Sequence, residues 1–329
     1  MVARVAVRTT KPKAFTLTHT IADEAEPDIS RSIRTAFLEA RRLLNLPELA
    51  RFFADRWESQ ILDHQRWRTI LNPLYTRLAG ILAATAGDAA ERHASLLPVH
   101  KADRETLGQV GFSFQLTNQE AVRWAETQAA NLVMGISEET RAAIRLILVR
   151  LYQDPTMGPD RAAREIRAII GLTRRQAIAV DNLRRMLEQR RDLATIARDA
   201  TSALSPQRRA FWMEQQIKTA AVIDANVSRY ANRLLRQRSE TIAQHESMLA
   251  SNRGQQLLWE QARTVGLIDT ETVERELVVT PDIRLCEICA PMQGVRVKLD
   301  QPFTLESGDT FMTPPFHVRC RCTVILRFS

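Results

Sequence analysis

The sequence predicts a mainly α-helical fold, an elongated helical body followed by a small α+β module at the C-terminus. Three observations predict it. Glycine is scarce, at 11 of 329 residues, while alanine, leucine, arginine, glutamate and glutamine are abundant, which favours helices over sheets. Apolar residues recur at spacings of three and four through most of the chain, the period of a helix face. All four cysteines lie beyond residue 285, where β-prone residues, proline and glycine become frequent.

The elements follow in order. Residues 1–27 carry a basic patch (Arg8, Lys11, Lys13) and an acidic one (Asp23, Glu24, Glu26) without sustained periodicity, and read as an extended arm. From Asp28, the residues Ile29, Ile33, Phe37, Ala40 and Leu44 share one helix face. Asn45 and Pro47 end that helix and open the next, to Trp57. A third helical pattern runs from Ile61 to Ala86 with a predicted interruption at Pro73, and residues 87–115 read as irregular. Thr117 and Glu120 have capping-box spacing. Ser137 is expected to cap a helix through Tyr152, stopped by Pro155 and Pro159. Asp160–Ile170 is helical, Gly171 breaks it, and Thr173 with Gln176 forms a second capping box. Ser205 and Pro206 open a long helical region that reaches about Val265. Strands are predicted at Glu274–Thr280, Val295–Leu299, Thr310–Thr313 and Thr323–Phe328. The predicted organisation is an arm at 1–27, a helical region at 28–115, a long-helix body at 116–265 and the α+β module at 266–329.

Charge and hydropathy exclude some classes. The longest strongly apolar run, Leu78–Ala86, is well short of the ~18–20 residues of a membrane span. The first residues lack the apolar core of a signal peptide, so a reducing cytoplasm is expected, where paired cysteines indicate metal rather than disulfide. The net charge of +8 favours polyanionic or acidic partners. Asp160–Asp192 concentrates nine arginines against five acids. Arg161, Arg164, Arg167, Arg174, Arg175, Arg184 and Arg185 are therefore candidates for non-specific phosphate contact. The competing reading is a solvated helix pair with internal ion pairs.

The cysteines carry the strongest signal. Cys286-Glu-Ile-Cys289 is followed, after 27 residues, by His317-Val-Arg-Cys320-Arg-Cys322. A Cys-x-x-Cys turn and a Cys-x-Cys strand end each bring two sulfurs to one side, and two such halves suit a tetrahedral structural zinc. The leading ligand set is Cys286, Cys289, Cys320 and Cys322; the alternative replaces Cys322 with His317. Four protein ligands leave no open position for substrate, so such a site staples the fold. His245-Glu246 begins like HExxH, but Leu249 stands in the fifth position and ends that reading. His19, His64, His93 and His100 have no matching partners and read as surface or incidental residues.

Three segments together resemble the phage Mu protein F-like head morphogenesis proteins. They are Arg238–Glu246, then Trp259 with Asp282–Gly294, then Pro314–Cys322 with its Pro-x-His-x-x-Cys-Arg-Cys ending. The resemblance covers about Ser205 to Leu326 and does not extend to residues 1–200. It implies a non-catalytic minor head protein, present in several copies inside the capsid at the portal vertex. Its implied partners are the portal protein, the major capsid protein and packaged DNA, and its implied work is head assembly and DNA packaging or delivery. Two rival functions share parts of this pattern. An HNH-like nuclease also uses cysteine knuckles, but residues 290–329 contain no asparagine and a single histidine, His317. A zinc-containing DNA-binding regulator could use the helix start at Thr173 as a helix-turn-helix, although helix–Gly–helix connections recur in any bundle.

Overall fold

A computed structural model describes residues 12–55, 58–97, 119–153, 158–188, 220–269, 271–280 and 285–328. The expected Thr117 cap and the Ser205–Pro206 helix start fall outside these residues. The described chain is mainly helical, with short strands confined to its C-terminal end.

Helix α1 (Lys13–Leu43) begins far earlier than the sequence reading placed it, so residues 13–27 are not an extended arm. The reason is legible in hindsight: Phe15, Thr18, Ile21 and Ala22 are all buried and continue the stripe of Ile29, Ile33, Phe37 and Ala40. Asn45 caps α2 (Leu46–Ala54), its side chain accepting from the Glu48 amide at 2.9 Å, with Pro47 in the first turn. After the single turn α3 (Glu58–Ile61), helix α4 (His64–Ala94) runs straight through Pro73, where an interruption was expected. An interior proline costs about 3 kcal/mol. Here Leu71, Leu74, Leu78 and Leu82 are fully buried around it, and four such side chains offset that cost.

Helix α5 (Gln119–Gln153) likewise passes through Ser137 rather than starting there. Ser137 is buried between Ile136 and Thr140, so it lies on an inward face of the helix. Helices α6 (Pro159–Ile169) and α7 (Arg174–Glu188) are joined by a tight turn. Gly171 sits at φ +85°, where an added Cβ would strike the Phe37 ring 2.5 Å away. The predicted capping box is present: the Thr173 amide donates to Gln176 Oε1 at 3.1 Å, and the Gln176 amide to Thr173 Oγ1 at 3.2 Å. Helix α8 (Ala220–Thr264) is the longest.

Beyond it, β1 (Val273–Val278) pairs antiparallel with both β2 (Arg296–Lys298) and β5 (Thr323–Phe328), giving the order β2-β1-β5. Leu277 faces Val324 and Arg275 faces Leu326 across the β1–β5 ladder. A separate two-stranded ribbon joins β3 (Phe303–Thr304) to β4 (Thr310–Phe311). Three of the predicted strands are thus shorter than expected, and Thr323–Phe328 matches.

The chain forms two compact units. One gathers Met1–Ser30, Arg77–Ala129 and Glu240–Ser329; the other gathers Arg31–Thr76 and Ala130–Ser239. The chain-order division expected from the sequence gives way to this interleaved one. Helices α1, α4, α5 and α8 each contribute to both units. A 31-residue helix such as α1 is about 46 Å long, more than a small core can cover.

In the first unit the β-module shares a core with the end of α8: Leu258, Trp259 and Ala262 pack with Leu277, Met292, Phe303, Phe316 and Val324. Arg275 is fully buried in this core. Its guanidinium lies over the Phe303 ring at 5.2 Å and donates to the carbonyls of Lys298, Gln301 and Met312, so one side chain satisfies three backbone acceptors.

Candidate metal centre

The first knuckle follows β1. The Ala290 amide donates to Cys286 O at 3.0 Å and closes a turn, and a short 3₁₀ segment (Ala290–Met292) follows. That turn aims the Cys289 amide at Cys286 Sγ, 3.3 Å away, a donor that favours the thiolate. The second knuckle precedes β5. The Cys320 amide donates to His317 O at 3.0 Å, and Arg319 adopts φ +63° to make the corner. The two knuckles meet because β1 and β5 are adjacent strands.

Five ligand atoms converge as two triads, Cys286–Cys289–His317 and Cys289–Cys320–Cys322, each with its atoms within 4.8 Å of one another. Cys289 belongs to both. His317 Nε2 lies 3.0 Å from Cys286 Sγ and 3.1 Å from Cys289 Sγ. Cys289 Sγ and Cys320 Sγ are 3.7 Å apart, close to the ~3.8 Å edge of a tetrahedron with Zn–S bonds of about 2.3 Å. None of the four cysteines is in a disulfide. His317 Nδ1 is 2.8 Å from Val318 O. A proton on Nδ1 leaves Nε2 as the unprotonated nitrogen facing the sulfurs, the tautomer a metal ligand needs.

The electrostatics favour a cation. Hydrogen bonds from the Cys289 and Cys322 thiols hold Cys320 far below its ordinary value, while the Cys320 sulfur pushes Cys289 far up. Packed sulfurs cannot all ionise without a positive charge between them. The donor set therefore fits a divalent, thiophilic metal.

Residues remote in sequence hold the second knuckle in place. His19 Nε2 lies 3.0 Å from Arg321 O, and Thr280 donates to the same carbonyl at 2.7 Å. Asn252 Nδ2 donates to Cys322 O at 3.3 Å. Thr323 Oγ1 is 2.7 Å from Asn252 Oδ1 and 3.2 Å from Thr18 Oγ1. Ser251 donates to Thr18 O at 3.0 Å, and Arg319 to Thr241 Oγ1 at 3.0 Å. His245 hydrogen-bonds the backbone of His317, and its burial lowers its pKa. His19 and His93 are not incidental surface residues. His19 supports the knuckle, and His93 is buried, bonded to Ala89 O at 2.7 Å and 3.2 Å from Thr18 Oγ1. No sequence signal marks these supports, because their partners lie on other helices.

The predicted arginine contacts are mostly spent internally. Arg184 is buried and pairs with Asp224 at 2.7 Å, with Glu188 at 3.6 Å and with Glu165 at 3.7 Å. Arg161 pairs with Glu188 at 2.6 Å and Glu165 at 3.1 Å, and Arg185 with Asp181 at 3.2 Å. Arg164 reaches Asp224 at 3.6 Å, and Arg167 donates to Arg41 O at 3.2 Å. Arg174 and Arg175 are exposed. Acids at helical spacing thus meet Arg161, Arg184 and Arg185, and Asp224 of α8 meets Arg164 and Arg184, so these four are engaged within the fold.

Residues 212–325 match the family model described as phage Mu protein F like protein. Over these residues the chain is similar to the phage Mu protein F-like family. It is a family of phage head morphogenesis proteins. The F-like region takes in α8, the strand module and all five candidate ligands, whereas the supports Thr18, His19 and His93 lie outside it. No curated protein and no solved structure matched the chain. Among the described residues, no helix is long and apolar enough to cross a membrane.

Proposed function

We propose that this protein is a minor capsid protein of a phage head, which binds the portal vertex on the capsid interior and assists head assembly and DNA packaging or delivery. It works by binding and performs no catalysis. Its partners are the portal and major capsid proteins, with packaged DNA touched non-specifically. The observation that carries the reading is the coincidence of the F-like region with a folded Cys/His module. Cys286, Cys289 and Cys320 hold a structural zinc, completed by Cys322 or His317. When bound, the ion supplies cross-linking rather than chemistry, since four protein ligands leave it no open position.

The test is co-expression with the portal protein from the same genome, followed by purification and mass measurement. A complex of defined stoichiometry supports the portal-vertex role. Absence of a complex, together with tight salt-dependent binding to DNA alone, replaces it with the regulator reading.

A further inference from the structure

In the second unit, α1, α2, α6, α7 and α8 enclose a pocket of about 660 Å³ whose walls carry five arginines and one acid. Asp224, the acid, is already engaged by Arg184 at 2.7 Å and Arg164 at 3.6 Å. Among the described residues, Arg41, Arg42 and Arg167 have no acid partner. Arg41 is the most constrained of the three. It is 9% exposed, and its guanidinium donates to Asn232 Oδ1 at 2.6 Å and to the carbonyls of Ala168 and Ile170, both at 3.0 Å. Those carbonyls are the end of α6, so part of its charge is met by the helix terminus. Arg41 Nε is nonetheless buried without a partner. Burial first, and then the Arg167 charge, lowers its pKa to about 10, so it stays charged at neutral pH. A buried cation beside a second cation, with unspent donors and no acid, is a site made for an anion.

The remaining wall selects among anions. Leu38, Leu46 and Ala168 line the pocket, and Leu38 is 45% exposed beside it. Among the described residues no aromatic side chain lines it, so they offer no platform on which bases could stack. A concave pocket also receives side chains better than the convex backbone of a duplex.

We propose that this pocket docks an acidic peptide segment of a partner chain, seating one or two carboxylates on Arg41, Arg42 and Arg167 with an apolar side chain against Leu38 and Leu46. The arginine fork matches a carboxylate in two-point contact. The inference rests on this pocket alone and stands whether or not the partner is a portal protein.

Fluorescence anisotropy on the full chain tests it, with three labelled probes: a peptide alternating Glu and Leu, the same peptide with every Glu replaced by Gln, and single-stranded DNA. The expected result is salt-sensitive binding of the acidic peptide and none of its Gln counterpart. Arg42→Glu and Arg167→Gln should each weaken acidic-peptide binding about tenfold or more. Arg42 is exposed, so its reversal leaves the fold intact, checked by an unchanged melting temperature. The double control Arg174→Ala, Arg175→Ala, outside the pocket, should leave binding unchanged. Equal binding of the Gln peptide, equal loss in the control, no peptide binding, or a preference for DNA that depends on Arg42 each overturns the proposal.

Discussion

Cys289 is the one side chain that both ligand triads share, and its position sets the first prediction. Cys289→Ser should reduce bound zinc to background and make the C-terminal module protease-sensitive, because losing a structural ligand removes folding free energy directly. Cys322→Ser and His317→Ala should differ from each other: the one that retains zinc identifies the residue that is not the fourth ligand. Zinc content by elemental analysis and limited proteolysis read both results. Glu246 gives a second prediction at this scale. It is buried, and burial raises its carboxyl to about 7 against the pull of a 2.9 Å hydrogen bond from Gln128. In the unfolded chain the carboxyl ionises at its ordinary value of 4.5. Between these values the unfolded state gives up a proton that the folded state keeps, so stability falls as pH rises across that window and levels off above it. Glu246→Gln should flatten that slope and gain on the order of 2–3 kcal/mol at pH 8, measured by denaturant midpoints from pH 4.5 to 8. Glu246 was visible in the sequence only as half of a failed metalloprotease motif. Its hydrogen-bond donor is a glutamine 118 residues away.

Among the elements, the contact of α4 with α8 in the first unit is the tightest point. A Cβ on Gly254 would lie 2.0 Å from Ala86 O, a backbone atom that cannot swing aside. Gly254→Ala should therefore separate the two helices locally and cost roughly 2–3 kcal/mol, although alanine is the better helix former. Guanidinium unfolding of the pair of proteins checks it; equal or greater stability in the variant contradicts the close approach. Elements with local signals were readable from sequence: the Asn45 cap, the Thr173–Gln176 box, Gly171 and strand Thr323–Phe328 all rest on neighbours within four residues or on strand propensity. Those set by packing were not. Pro73 and Ser137 are breakers by local rule, yet the buried leucines around one and the inward placement of the other keep their helices continuous. The start of α1 was hidden for a similar reason, since mixed charges at 13–27 mask four buried positions on one face.

For the whole molecule, the interleaving of the units matters more than any boundary along the chain. The candidate ligands were legible because metal spacing is a local pattern. The support of the second knuckle was not, because it comes from α1 and from the middle of α8. A fragment of residues 212–329, which contains the F-like region, lacks Thr18, His19 and His93. It should bind zinc more weakly than the full chain, by about tenfold or more for the lost knuckle supports, and should regain affinity when a peptide of residues 12–30 is added. Competition with a chromophoric chelator measures both. Full affinity in the bare fragment would show that α1 contributes nothing to the site.

The bond between Thr323 and Thr18 joins residues 305 apart. A ribosome adding about 5–20 residues per second needs roughly 15–60 s to span that interval. Thr18 and His19 therefore leave the ribosome well before the strand end that they support, although α4 reaches Thr18 through His93 after only 75 residues. The cysteine knuckle before β5 thus meets its α1 supports only after the whole interval between them has been translated.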